Sequence, residues 1–246
     1  MDKEKRIYTS FHDIPPRDYM YFPKGSLDAG KPGKFSRIEI MHLIISMTVL
    51  VIAFSFAITR NNLLFGLNNG FDFERLPAGL LLSFLGVVTA FFFHEIAHKF
   101  MAQRHGLWSE YRMYPQGLLI AFFLSILTGF VFAAPGAVMF RGGTRNHETG
   151  KIAVSGPSAN ILIAGVTLLL YLFVFFEDPV LGSIVGFICY INAFLATFNL
   201  LPFGPLDGSK IIRWNATAWM ILLIIAITTL VLIFTKFDFS NMSLIF

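Results

Sequence analysis

The sequence has almost no cysteine and few charged residues. Cys189 is the only cysteine among 246 residues, which excludes an internal disulfide and any cysteine-based zinc finger. It lies in an apolar stretch, so packing is its expected role. Charged residues make up 14% of the sequence and hydrophobic residues 55%. Typical soluble domains have roughly 25% charged residues, so the composition argues against a soluble protein.

The apolar residues are concentrated in six stretches that contain no Asp, Glu, Lys or Arg. They are Ile40–Ile58, Leu76–Phe93, Leu118–Phe140, Ile152–Phe176, Val180–Leu206 and Trp214–Thr235. Each reaches about 18 residues, the length that a helix needs to cross a bilayer core. We predict an all-α polytopic membrane protein with five to six transmembrane helices, surrounded by the lipid bilayer. The formal charge of +4 requires no nucleic-acid partner, because basic cytoplasmic loops account for it.

The first 37 residues differ from the rest, because they are polar and basic and contain Pro and Gly throughout. They lack the apolar segment directly after a charged start that marks a cleaved signal peptide. Two interpretations stay open: an arm that lies on the membrane surface through its aromatic and basic side chains, and a flexible tail. We divide the chain into a cytoplasmic N-terminal arm, residues 1–37, and a transmembrane domain, residues 38–246.

The sequence HEIAH, residues 94 to 98, places two histidines and a carboxylate at the end of an apolar stretch. Residues four apart lie on one face of a helix, so both imidazoles can reach one metal ion. Glu95 can take a proton from a water bound to that ion. Short matches of this kind also occur by chance, but ionisable residues inside a bilayer are costly and usually carry function. The motif predicts a zinc site with one Zn²⁺ per chain.

Such a site needs a third protein ligand and an open position. None of the four other histidines has a compelling context; they are His12, His42, His105 and His147. Asp207 stands in NLLPFGPLDGSK, residues 199 to 210, where prolines and glycines interrupt a helix. Irregular backbone at membrane depth is tolerated where it is buried or lines a cavity. Asp207 is therefore the favoured third ligand, and an ordinary turn aspartate is the alternative.

Three segments follow one another in the order HEIAH, SGPSAN at residues 155 to 160, and NLLPFGPLDG at residues 199 to 208. Together they resemble the HExxH, G-P-x-x-N and N-x-x-P-x-x-P-x-D-G segments of the site-2 protease family of intramembrane zinc metalloproteases. The resemblance runs from about residue 80 to 213. This sequence shows neither the PDZ domain nor the cystathionine-synthase-type pair of many prokaryotic relatives, and Ser209 replaces their second glycine. These departures leave regulation and substrate choice open.

The resemblance implies a role for six residues. It implies that His94, His98 and Asp207 are the zinc ligands and that Glu95 is the general base. It places Asn199 close to the catalytic site and gives Asn160 a supporting role. It also implies that the substrates are transmembrane proteins, in which peptide bonds are hydrolysed within or near a membrane-spanning segment.

The three ligands have to meet on one side of the membrane, and six simple crossings would separate Asp207 from the histidines. The segment Leu118–Phe140 contains Gly129, Pro135 and Gly136 and could enter and return on the same side. With this return, 16 Lys and Arg residues lie on the starting side and 3 on the other, whereas six crossings give 12 and 7. The positive-inside rule therefore favours five crossings, a cytoplasmic N-terminus and an active site toward the cytoplasm.

The segment Pro135–Gly143 contains AVMF, which is typical of a short extended strand. The family that the sequence resembles has a re-entrant β element near its site. An exposed strand edge could pair with an unwound substrate segment. This makes four residues candidates for substrate binding: Gly136, Ala137, Val138 and Met139. A plain turn between apolar segments is the alternative.

Three other functions stay open at this stage. Other membrane metalloproteases with HExxH typically take their third ligand from a glutamate on a later helix, and no later apolar stretch here contains one. An inactive scaffold would bind membrane helices without cutting them. A metal transporter would need polar residues along a path through the bilayer, whereas the polar residues here gather at one depth.

Overall fold

In the part of the chain that the structure describes, apolar helices form a bundle beside a small two-stranded β-sheet. The computed structural model describes residues 33–131, 135–141 and 146–237. Most of the predicted N-terminal arm, residues 1–32, lies outside the described residues, as do Gly142 and Gly143 of the predicted β segment. The described elements are α1 (Arg37–Ile58), α2 (Leu63–Asn69), α3 (Leu76–Val87), α4 (Phe93–Arg104), β1 (Trp108–Met113), α5 (Pro115–Thr128), β2 (Gly136–Arg141), α6 (Asn146–Phe173), α7 (Pro179–Asn199), α8 (Asp207–Trp214) and α9 (Ala216–Lys236).

Five helical segments among the described residues are long and apolar enough to cross a membrane. They are Arg37–Asn69, Phe73–Arg104, His147–Phe173, Pro179–Asn199 and Ala216–Lys236. This confirms the prediction of an all-α polytopic protein and gives five spans. The chain is therefore a multi-pass membrane protein.

Local sequence sets the helix ends. The side chain of Ser36 accepts a hydrogen bond from the Glu39 N–H and caps α1. Asp178 caps α7 in the same way, with Pro179 at the first position. After Asn199 the chain meets two prolines and a glycine in PFGP, and the helix stops.

The second span is not a uniform α-helix. A π-helical turn, Val88–Phe92, separates α3 from α4 and lies directly before the HEIAH segment. Such turns shift the main-chain hydrogen bonds by one residue and are frequent at functional sites. This turn therefore sets the rotation at which α4 presents its histidines.

The two strands pair antiparallel, with Met113 opposite Gly136 and Tyr111 opposite Val138. The helix α5 lies between them in sequence, so the chain leaves the sheet at Met113 and comes back to the same place at Gly136. The Tyr114 N–H donates to the Pro135 carbonyl at 2.9 Å and closes this excursion. The residues before α5 and those at the start of β2 therefore lie side by side, as the predicted return requires.

Contacts between helix ends place the functional segments together. The Trp219 indole donates to the Leu200 carbonyl at 2.7 Å, which joins the start of α9 to the end of α7. At the opposite end, the Tyr171 hydroxyl donates to the Lys236 carbonyl at 3.0 Å. His98 of α4 contacts both the Ile152 carbonyl of α6 and Asp207 of α8, so the end of α4, the start of α6 and the short helix α8 share one end of the bundle.

Candidate metal centre

Three side chains from two distant parts of the chain converge on one point. The Nε2 atoms of His94 and His98 are 3.0 Å apart. Asp207 Oδ2 lies 2.9 Å from His98 Nε2 and 3.3 Å from His94 Nε2. All three residues are buried. Among the described residues, these are the histidines, cysteines and carboxylates grouped closely enough to hold a metal ion.

Two glycines allow this close approach. Gly156 lies in α6 against both imidazoles, and a Cβ there would overlap the rings of His98 and His94. Gly208 follows Asp207, and a Cβ there would overlap the Leu200 carbonyl at the end of α7. The glycines of SGPSAN and of the LDG sequence therefore let α6 and α8 pack tightly around the site.

Hydrogen bonds fix which nitrogen of each imidazole faces the site. His98 Nδ1 donates to the Ile152 carbonyl at 2.9 Å, because a carbonyl oxygen can only accept. His94 Nδ1 lies 2.6 Å from Asn160 Oδ1, and the Asn160 amide nitrogen donates to the Ala90 carbonyl at 2.8 Å. The Asn160 oxygen must then face His94, which donates to it. Both Nε2 atoms therefore direct lone pairs into the site.

The arrangement fits a zinc ion. Four ligands placed tetrahedrally around zinc, with bonds of about 2.0 Å, lie about 3.3 Å from one another. The observed separations of 2.9 to 3.3 Å are close to this value. Three electron-pair donors at such distances repel one another unless a cation lies between them. In zinc proteins, the imidazole nitrogen that does not bind the metal usually donates a hydrogen bond that orients the ring. The Nδ1 atoms of His94 and His98 make bonds of this kind.

Glu95 lies beside the triad and is held by the sheet. Its Oε2 accepts a hydrogen bond from the Val138 N–H of β2 at 3.0 Å. In an antiparallel pair, the main-chain groups of alternate residues point away from the partner strand. Val138 is such a residue, and so is Tyr111 opposite it, whose N–H donates to Glu39. The outer edge of β2 therefore borders the site through Val138.

Comparison with known proteins agrees with this chemistry. A protein of Methanocaldococcus jannaschii named "putative zinc metalloprotease" is 38% identical to this chain over 189 residues. The match covers 76% of this chain and 90% of that protein. The chain belongs to this family of zinc metalloproteases. No family model and no solved structure matches the chain.

In this metalloprotease, both carboxylate oxygens of Asp207 have polar partners. Oδ2 faces the histidines, and Oδ1 accepts from Lys210 Nζ at 3.1 Å. A carboxylate that binds a metal ion has to be ionised, and the Lys210 ammonium provides a counter-charge for the buried carboxylate of Asp207.

The other sequence-derived candidates lie in different places. Asn160 is fully buried and contacts His94 directly. The hydrogen bond of the Asn199 side chain goes to the Leu195 carbonyl of its own helix, at 3.1 Å, and not to the triad. On β2, Ala137 and Met139 alternate with Val138, so their main-chain groups face β1, while Gly136 belongs to the outer edge.

The remaining histidines lie outside the triad. His105 directly follows the last residue of α4, and His147 lies in the first turn of α6 and packs against Trp214. The His42 ring accepts from the Met113 N–H of β1. His12 is outside the described residues.

Two polar residues of the site were missed in the sequence. Lys210 lies three residues after Asp207, and this spacing on a helix would have indicated the contact. Asn192 is fully buried in α7 and accepts from the Asn160 amide at 3.0 Å. The only signal for Asn192 is a strongly polar side chain in the middle of an apolar span.

Proposed function

We propose that this metalloprotease is an intramembrane protease of the site-2 protease type, which hydrolyses peptide bonds within or near the transmembrane segments of other membrane proteins. The observation that carries the proposal is the position of the triad. His94, His98 and Asp207 are buried between apolar helices, at one end of a five-span bundle. A site in that place is suited to a substrate that is itself in the bilayer.

His94, His98 and Asp207 would hold the zinc ion and leave one position open. Zinc bound there supplies Lewis acidity at the substrate carbonyl and lowers the pKa of a bound water toward neutrality. Asn160 and the Ile152 carbonyl keep the two imidazoles in the tautomer that presents Nε2. Lys210 keeps the Asp207 carboxylate oriented through its second oxygen.

Glu95 is proposed as the general base. It directly follows a ligand, and the residue is only 8% exposed, which limits the access of bulk water to the reacting groups. The Val138 N–H occupies Oε2 and leaves Oε1 to take the proton of the attacking water. The same carboxyl group then gives that proton to the leaving nitrogen.

The outer edge of β2 is proposed to receive the substrate. A peptide bond inside a helix is shielded by its own hydrogen bonds, so a client helix has to unwind before it is cut. An unwound segment can pair with a free strand edge. Gly136 and Phe140 alternate with Val138 and have their main-chain groups on that edge. A client strand paired there lies next to Glu95.

The proposed orientation has the N-terminus and the metal centre toward the cytoplasm. The described basic residues at the end of the bundle that holds the site include Arg104, Lys151, Lys210 and Arg213, and the positive-inside rule favours a cytoplasmic position for this end. Labelling of single cysteines introduced at Arg104 and at Arg75, in intact and in opened cells, measures the orientation.

The deciding experiment measures zinc per chain and cleavage of a transmembrane client by the purified full chain in detergent. Wild type is compared with Glu95→Gln and with a control, Glu74→Gln, which changes an exposed glutamate at the start of the same span. We expect one zinc in all three proteins and cleavage by wild type and Glu74→Gln. Glu95→Gln should be slower by about 10² to 10⁴-fold, the usual contribution of general acid–base catalysis.

Other outcomes discriminate between the alternatives. Full activity of Glu95→Gln would contradict the base assignment. Tight zinc binding by Asp207→Ala would point to a metalloprotease class with a different third ligand. Zinc binding with client capture but no cleavage by wild type would indicate a scaffold.

A further inference from the structure

A continuous chain of hydrogen bonds extends from the metal ligand His94 across three helices. His94 bonds to Asn160 of α6, and the Asn160 amide donates to Asn192 Oδ1 of α7 at 3.0 Å. The Asn192 amide in turn donates to Thr89 Oγ1 at 3.1 Å. Thr89 belongs to the π-helical turn that precedes α4. The chain of bonds therefore starts and ends on the span that contains the HEIAH segment.

Each amide in this chain has one possible orientation. An amide nitrogen can only donate and a carbonyl oxygen can only accept. The Asn192 nitrogen donates to the Ile188 carbonyl at 2.9 Å, so its oxygen must face Asn160. The Asn160 nitrogen donates to that oxygen and to the Ala90 carbonyl, so the Asn160 oxygen must face His94. His94 then has to donate from Nδ1.

We infer that Asn192 is a positioning residue for the metal ligand, which locks the amide of Asn160 and thereby holds His94 in the tautomer that presents Nε2. This inference rests on the ligand role proposed for His94. Asn192 touches neither the triad nor the substrate edge; it acts through Asn160. The ion whose binding Asn192 supports is a divalent cation that binds neutral imidazole.

Packing alone does not explain this residue. Asn192 is 0% exposed between apolar helices, where a leucine, with the same number of side-chain heavy atoms, would cost nothing in desolvation. A buried amide is costly unless its hydrogen bonds are made. Here three bonds are made, and two of them go to Asn160 and to the turn before α4. The amide therefore stabilises a specific arrangement of the site.

The first measurement is the affinity for Zn²⁺ alone, determined by competition with a chromogenic chelator on the full chain in detergent. Asn192→Leu removes the amide and keeps the number and branching of the side-chain heavy atoms. Thr197→Val is the matched control, because Thr197 lies in the same helix and its hydroxyl bonds to the Ala193 carbonyl. We expect Asn192→Leu to bind zinc about tenfold more weakly, at the lower end of the effects of outer hydrogen-bond partners. Thr197→Val should bind as wild type does.

A double-variant cycle tests whether Asn192 acts through Asn160. If it does, Asn192→Leu weakens zinc binding in the wild-type background but adds little to Asn160→Leu. The visible spectrum of the Co²⁺-loaded protein should change in Asn192→Leu and Asn160→Leu, and not in Thr197→Val. Additive losses, or an unchanged zinc affinity of Asn192→Leu, would overturn the inference.

Thr89→Val keeps the test decisive if Asn192→Leu does not fold. This isosteric variant removes the last bond of the chain, together with the bonds of the Thr89 hydroxyl to the Leu85 and Gly86 carbonyls of its own helix. A small but measurable loss of zinc affinity supports the inference, and wild-type affinity contradicts it. None of these measurements uses proteolysis, so an enzyme that binds zinc but cuts no client would contradict the proposed function and leave this result intact.

Discussion

Two buried polar clusters lie side by side on α4, and they differ in how their charges balance. His98 belongs to the triad with His94 and Asp207. Its neighbour Lys99 donates to both oxygens of Glu39, at 2.9 and 2.8 Å. Lys99 and Glu39 are both 0% exposed, and the triad residues are nearly as buried. Burial is therefore the same in the two clusters, and only their chemistry distinguishes them.

The ion pair is complete by itself. Lys99 also donates to the Ser109 carbonyl, and Glu39 also accepts the Tyr111 N–H. These bonds fasten β1 to α1 and α4. The triad instead directs three electron-pair donors at one point. The comparison teaches that a buried cluster with matched donors and acceptors holds the fold, whereas one with an excess of acceptors is a site for a cation.

The largest expected effect comes from breaking the ion pair on one side. Lys99→Met leaves Glu39 buried without its counter-charge, and such changes cost about 3–5 kcal/mol of folding free energy. Denaturant unfolding in detergent measures it against Lys236→Met, which removes an exposed lysine. A loss of under 1 kcal/mol in Lys99→Met would mean that the pair contributes little.

Zinc binding should give the next largest effect. A ligand that binds the folded state at 100 times its Kd stabilises it by about 2.7 kcal/mol. We expect that addition of zinc after chelator treatment raises the unfolding midpoint of wild type and not that of Asp207→Ala. An equal rise in both proteins would show that zinc stabilises the chain elsewhere.

A methyl group added to α6 tests the close packing at the triad. Gly156→Ala places a Cβ against both imidazoles, and overpacking of this kind costs about 1–3 kcal/mol. We expect weaker zinc binding together with lower stability. The control is Gly165→Ala, because Gly165 lies in the same helix with open space at its Cβ position. Equal zinc affinities in the two variants would show that Gly156 is not needed for the geometry of the site.

The smallest effect is expected when the ion pair is removed as a whole. Glu39→Leu combined with Lys99→Met should recover most of the stability that Lys99→Met loses, because a buried pair replaced by apolar residues is often neutral. A residual loss of about 1 kcal/mol is expected from the Tyr111 N–H, which loses its acceptor. Zinc affinity measured on the same protein should stay close to that of wild type, and a large fall in affinity would link the two clusters.

Local spacing made part of the site predictable from the sequence. His94 and His98 are one helical turn apart, which predicted a shared metal ion. The prolines and glycines around Asp207 predicted a break in the helix that places this carboxylate in a polar pocket. The number of spans followed from apolar length and from the distribution of Lys and Arg. The partner strand β1 was not predicted, because its pairing with β2 depends on residues that α5 separates in the sequence.

The roles of Lys99 and Asn192 were not predicted either, because they too depend on contacts with residues that are distant in the sequence. Lys99 was counted as a basic residue at the end of a span, but its partner Glu39 lies 60 positions away. Asn192 gains its role from contacts with α6 and the π-helical turn, which depend on how the helices pack. For Asn199, the resemblance implies a place near the site, and its hydrogen bond within α7 leaves that prediction to be tested.

The helix α5 has a consequence for the surrounding lipid. Its 14 residues extend about 21 Å, whereas the hydrocarbon core is about 30 Å thick. Leu119, Ile120 and Phe123 on its surface are each more than half exposed, so acyl chains contact this helix directly. Because the chain returns to the sheet after α5, this helix is expected to stop short of the opposite headgroups. The packing of lipid in one leaflet thus becomes a physical variable of the metal centre's environment.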